Sequence, residues 1–149
     1  MLFRSDLEAT LQERIVCAGL VDRVRLMGRT EEPSEVFKSA GVFALSSDFE
    51  GMPNALMEAM AAGLPSVSTD CPIGGPSELI RDGETGRLVQ VGDAREFAEA
   101  LKELLSDACL RSRMGTCAQN AMKDYRTDVI VDRWEAVLEE AYRNKHGKN

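Results

Sequence analysis

Four short apolar runs, at residues 24–27, 42–45, 65–69 and 87–91, each separated from the next by a stretch that reads as helix or turn, constrain this chain more than any other feature. None of them alternates cleanly between apolar and polar side chains, so each reads as a strand covered on both faces rather than a half-solvated one. Covered strands alternating with helices predict a parallel, doubly wound α/β sheet. The first helix is expected at 5–19, where Ser5 and Glu8 form a capping box, Leu7, Leu11, Ile15 and Ala18 fall three or four apart, and Gly19 ends the pattern. Further helices are expected at 34–40, at 55–62 with Gly63 as the stop, and at 77–81. Beyond the last strand everything reads as helix. Asp93 and Glu96 form a second capping box ahead of a face carrying Phe97, Leu101, Leu104 and Leu105, and Asp107 opens a helix to about Tyr125. Thr127 caps the last, with Ile130 or Val131, Trp134, Leu138 and Ala141 as its stripe. No internal repeat, linker or low-complexity segment interrupts residues 1–149, which read as one domain or a piece of one.

Composition removes several classes of function. At 149 residues with 44% apolar content, the chain can bury a core without disulfides or a structural metal. Its 25 acidic against 18 basic residues, a formal net charge of -7, give no cationic footprint for nucleic acid or an anionic membrane. Cys17, Cys71, Cys109 and Cys117 form no Cys-x-x-Cys pair and have no histidine nearby, so they read as reduced, partly buried thiols rather than zinc ligands. His146, the one histidine, lies in a polar tail, which leaves histidine-dependent catalysis nothing to use. The N-terminus has no apolar signal core, and no uncharged stretch approaches the ~18 to 20 residues that span a bilayer. A cytoplasmic location is expected, with no bound metal and no cofactor.

In sheets of this class ligands bind beyond the carboxyl ends of the strands, here the loops at 28–33, 46–54 and 70–76. The second is the most informative: Phe-Glu-Gly-Met-Pro-Asn at 49–54 runs straight into the helix and brings Glu50 and Glu58, eight positions apart. With Pro53 near the first helical position, the free N–H groups at about 54–56 point out of the helix end, a site suited to phosphate oxygens. A carboxylate one turn along can accept two hydrogen bonds from vicinal hydroxyls, as on a ribose. Together these suit a nucleotide-diphosphate sugar, with phosphates on the helix end, ribose on Glu58 and the transferred sugar near Glu50. Composition alone leaves the alternative of two solvated glutamates.

A longer pattern bears on that choice. The segments Arg-Val-Arg-Leu-Met-Gly-Arg at 23–29, Ser-Ala-Gly-Val-Phe-Ala-Leu-Ser-Ser at 39–47, the run from Phe49 to Pro65, and Asp-Gly-Glu-Thr-Gly-Arg-Leu-Val at 82–89 with Gly92 and Asp93 closely resemble the C-terminal donor-binding domain of the group 1, or family 4, glycosyltransferases of GT-B fold. The resemblance covers about residues 7–142 and includes an E-x7-E element at Glu50 and Glu58. It implies that Glu50 contacts the donor sugar near the reacting carbon and is the candidate for transition-state stabilisation. Gly51, Met52, Pro53, Asn54 and Ala55 would contact sugar hydroxyls and diphosphate, Glu58 would hold the ribose, and Arg29, Thr30 and Glu32 would lie along the base. Glu78 is read as a helix-start charge in preference to a cleft residue. The family is a set of metal-independent retaining transferases whose acceptor binds a separate N-terminal domain. UDP is the expected nucleotide by frequency, and the product a polysaccharide or glycolipid.

The chain also departs from the resembled domain. Two leading strand–helix units and a basic pair gripping the diphosphate would precede Ser5, so the sheet is expected to lack its first two strands. In the order 3-2-1-4-5-6 those strands lie between 24–27 and 42–45, leaving an apolar central strand as an edge. The expectation is a partial donor-binding domain, silent alone and completed by an N-terminal half in cis or in trans, the whole enzyme being capable of peripheral membrane association. The alternatives are a non-catalytic nucleotide-sugar-binding or assembly module, and an inactive fragment.

Overall fold

The computed structural model describes residues 5–28 and 30–146, in two units that divide between Pro33 and Ser34. In the first unit α1 (Ser5–Cys17) turns Ile15 into a buried position and leaves Leu7 and Leu11 exposed. The capping contact expected of Ser5 lies outside what is described. Residues 24–27, predicted as a strand, belong to none; Val24 is 40% and Met27 77% exposed. A parallel strand is held by ladder bonds to a neighbour, and the sheet of the described residues is built from three other segments.

Those segments are in the second unit. α2 (Pro33–Ser39) begins at the boundary, followed by β1 (Phe43–Leu45), α3 (Asn54–Ala61), β2 (Ser66–Asp70), α4 (Gly75–Leu79) and β3 (Gly86–Gln90). The strands run parallel in the order β1-β2-β3, with Phe43 opposite Ser66, and Ser66 in turn opposite Gly86. α5 (Ala94–Ser106), α6 (Ala108–Ala121), a 3-10 turn (Met122–Tyr125) and α7 (Thr127–His146) complete the described residues. α4 starts two residues before its predicted position because Pro76 fits its first turn, where a missing N–H leaves no helical bond unmade.

Side chains leave the central strand in alternation and find a separate core on each face. On one face Leu56 and Met60 of α3, Leu79, Ile80, Ala118 and Met122 form a cluster against Phe43, Leu45 and Leu88. On the other, Val67 and Val89 pack with Ala100 and Leu104 of α5 and Met114 of α6. Full burial of a leucine such as Leu56 or Leu104 contributes roughly 1.5–3 kcal/mol. Ser66 and Ser68, buried on the α3 face, satisfy their hydroxyls on the carbonyls of Leu64 and Thr69. α3 ends in a Schellman arrangement, with Gly63 (φ 80°) donating to the Met60 carbonyl and Leu64 to the Ala59 carbonyl. α6 then passes so close that a Cβ on Gly115 would lie 2.1 Å from the Gly63 carbonyl oxygen.

Asp93 caps α5 as expected, accepting from the Glu96 N–H at 2.9 Å, and Asp107 does the same for α6 through Leu110. Leu105, predicted to share a face with Phe97, Leu101 and Leu104, is 63% exposed; the packed stripe is Phe97, Ala100, Leu101 and Leu104. The last helix departs furthest from expectation. No described side chain of α7 is buried, and Trp134 and Leu138 are each 63% exposed. Its stripe exists at the predicted spacing, but α7 meets the rest of the unit chiefly at its start, near the 3-10 turn. Of the four cysteines, all free, Cys71 is buried and Cys117 half-buried, whereas Cys17 and Cys109 are exposed, contrary to the reading of all four as partly buried.

Candidate functional site

The β1–α3 connection enters its helix through a buried Pro53, extended at φ -76° and ψ 104°, which offers no side-chain cap. Both Leu56 and Met57 donate their N–H groups to the Pro53 carbonyl at 3.1 Å. Leu56, predicted to present a free N–H, therefore does not. Among the described residues the N–H groups of Asn54 and Ala55 have no acceptor, so this helix end carries two outward donors and the positive end of the helix dipole. Because Leu56, Ala59 and Met60 turn into the core, Asn54, Ala55 and Glu58 share the exposed side of α3. Glu58 stands four residues, about one turn, beyond Asn54.

Glu50 is half-buried, and its Oε1 accepts the Ser47 hydroxyl at 2.7 Å. The Ser47 carbonyl is itself held by the hydroxyl of Thr69, at the carboxyl-terminal end of β2. Gly51 and Met52 are exposed, but Gly51 is fixed from behind: a Cβ on Gly75 would fall 1.3 Å from the Gly51 carbonyl oxygen and 3.1 Å from Pro53 Cδ. Only glycine at 75 permits that approach, so the loop after β1 is packed backbone to backbone on the start of α4. The second loop is strained where it turns. Gly74 donates to the Cys71 carbonyl at 3.2 Å across Pro72 and Ile73, and Ile73 sits at φ 76°, 72% exposed. That is the third position of a type II turn, normally glycine or asparagine; a β-branched residue there costs of order 1–3 kcal/mol.

The remaining predicted residues are placed as follows. Thr30 and Glu32 are exposed in the first unit, with the Glu32 N–H donating to Thr30 Oγ1 at 3.2 Å, and Arg29 lies outside the described residues. Glu78 is exposed in the first turn of α4, the place of a helix-start charge. Among the described residues no three His, Cys, Asp or Glu side chains gather as a metal-binding group, and no helix is long and apolar enough to cross a membrane. The sequence reading places ligands in the loops at 46–54 and 70–76 but gives Ser47, Thr69 and Gly75 no individual role, and a cavity of about 270 Å³ lies at the carboxyl ends of the strands as that reading expects. Ser46, Asp48, Thr69, Gln90, Phe97 and Leu101 help to line it, none of them a predicted site residue.

The model of the family described as glycosyl transferases group 1 matches residues 4–107. This chain belongs to the group 1 glycosyltransferases. Among curated relatives it is 38% identical over 131 residues to an exopolysaccharide phosphotransferase of Streptomyces coelicolor, covering 87% of this chain and 14% of that protein. To the N-acetyl-alpha-D-glucosaminyl L-malate synthase of Bacillus anthracis it is 33% identical, covering 85% and 33%. The group 1 chain thus spans a third or less of the length of these two relatives. Its fold is that of the C-terminal, Rossmann-like half of GT-B enzymes: the C-terminal domain of a Francisella tularensis group 1 protein superposes with a TM-score of 0.74 at 23% identity, covering 85% of this chain and 66% of that one. The Anabaena protein HepE, solved with UDP-glucose, superposes with a TM-score of 0.81 at 23% identity, covering 95% and 38%.

Proposed function

We propose that this chain is the donor-binding part of a retaining, metal-independent glycosyltransferase and that it takes a nucleotide-diphosphate sugar. The observation that carries the reading is the helix end of α3, where the unpartnered N–H groups of Asn54 and Ala55 share one exposed side with Glu58. Diphosphate oxygens accept from Asn54 and Ala55, and the Glu58 carboxylate accepts the vicinal ribose hydroxyls. As the glycosyl bond breaks, negative charge develops on the leaving diphosphate, and two fixed donors at a helix end meet it without reorganisation. Glu50 faces the transferred sugar and opposes its developing positive charge, while Gly51, Met52 and Pro53 shape the passage between the two. UDP is the first nucleotide to test, as the nucleotide held by HepE of the same fold.

The product is a cell-surface polysaccharide or glycolipid, made on the cytoplasmic side, and an N-terminal half in cis or in trans supplies the acceptor site and the strands beside β1. The relatives' names support the first part, and β1, which pairs with β2 alone among the described residues, supports the second. Calorimetry of the chain with UDP, GDP and ADP tests donor binding. Glu58→Ala is expected to weaken nucleotide affinity by roughly 1.5 to 3 kcal/mol, the range for a hydrogen bond to a charged group; unchanged affinity removes Glu58 from the site. In the enzyme completed by its N-terminal half, Glu50→Gln is expected to lower turnover more than nucleotide binding. Completed protein that binds donor and transfers no sugar would make the chain a binding module instead.

A further inference from the structure

We propose that Ser47 is a positioning residue for Glu50, and that Thr69 anchors it to the sheet. The proposal rests on the donor-site reading above and adds two residues that the E-x7-E spacing does not contain. Glu50 sits in a loop, where a carboxylate free to rotate would lose much of its orientation toward a bound sugar. Here the half-buried Ser47 hydroxyl donates to Glu50 Oε1 at 2.7 Å, with no competing hydrogen bond to this carboxylate among the described residues. One oxygen is thereby held and Oε2 is left for the ligand. Ser47 would position nothing if it moved with the loop. Its carbonyl, however, accepts from Thr69, a residue 5% exposed whose strand lies at the centre of the sheet. On the other side of Glu50, the Gly51 carbonyl is packed against Gly75. The loop that carries the carboxylate is thus held between two anchors, Thr69 at the end of β2 and Gly75 at the start of α4, and the hydroxyl of Ser47 is the contact that sets its orientation.

The test separates sugar from nucleotide in calorimetry of the full chain with UDP and with UDP-glucose. Ser47→Ala is expected to weaken UDP-glucose about fivefold, the size of one ordinary net hydrogen bond, and to leave UDP within about twofold. Ser47→Thr, which keeps the hydroxyl, restores the UDP-glucose affinity. The double variant Ser47→Ala with Glu50→Gln binds UDP-glucose no more weakly than Glu50→Gln alone, because both changes act through one contact. A local folding role would move UDP and UDP-glucose together and would show in the melting curve of Ser47→Ala; that result overturns the inference. If Glu50→Gln weakens UDP-glucose and Ser47→Ala does not, the positioning role fails and the donor-site reading stands. If neither change affects UDP-glucose, Glu50 is not at the sugar, and both fall.

Discussion

Val24 and Val67 are both valines in short apolar runs followed by polar turns, yet Val67 is wholly buried at the centre of a sheet and Val24 is 40% exposed in a segment that forms no strand. The same contrast holds between the units that contain them. In residues 34–146 the strands place Val67 and Val89 on one core and Phe43, Leu45 and Leu88 on another, each covered by helices. In residues 5–28, Ile15 is buried while Leu7, Leu11, Val16, Leu20, Val21, Val24 and Met27 are exposed. Strand propensity is mostly a statement about neighbours: a pleated segment is stable when ladder partners and a covering face exist, and apolar residues alone supply neither. β2 has a partner on both sides and becomes the rigid element from which Thr69 holds the candidate-site loop.

Unfolding measurements can break this comparison. The largest effect is expected for Leu56→Ala and Leu104→Ala, each wholly buried in a different core, at about 2–5 kcal/mol by denaturant titration. Values below about 1 kcal/mol at both sites would mean that the second unit is no better packed than the first. Gly115→Ala comes next, at about 1–3 kcal/mol, because its methyl would meet the Gly63 carbonyl rather than a side chain that can swing aside. Ile73→Gly is expected to act in the opposite sense and raise stability by about 1 kcal/mol or less: relief of the positive φ outweighs the added freedom of the unfolded chain. A loss of stability there would show that the exposed Ile73 side chain contributes packing. Smallest of all, Leu7→Ala and Met27→Ser in the first unit should stay within about 0.5 kcal/mol of the parent. Hydrogen exchange sharpens the same contrast, with the amide of Val67 protected close to the global unfolding energy and those of residues 25–27 nearly unprotected.

Much of the candidate site was legible because it is local. Pro53 before a helical run, a glutamate one turn inside it and glycine at 63 are spacing arguments, and α3 appears where they put it. The N–H of Leu56 was misjudged by one position, since the first turn tightens onto the Pro53 carbonyl, a detail of backbone geometry that residue types do not carry. Ser47 stands three residues before Glu50, the spacing of a turn contact, so a signal was present; Thr69 is 22 residues further along and gave none. The exposure of Leu105 and of the α7 stripe has a related cause. Periodicity tells which residues share a side of a helix, and only the packing of other elements tells whether that side is covered.

By itself the sequence determined the class of fold, the order of helices and strands through the second unit, the caps at Asp93 and Asp107, and the family, because each rests on residue type at short spacing. Tertiary structure decided which apolar run became a strand, which helix faces were buried, and how the loop after β1 packs through Gly51 on Gly75 at the start of α4. Those outcomes depend on partners distant in sequence. Ladder bonds, covered faces and backbone contacts exist between segments, and no one segment contains the information that fixes them.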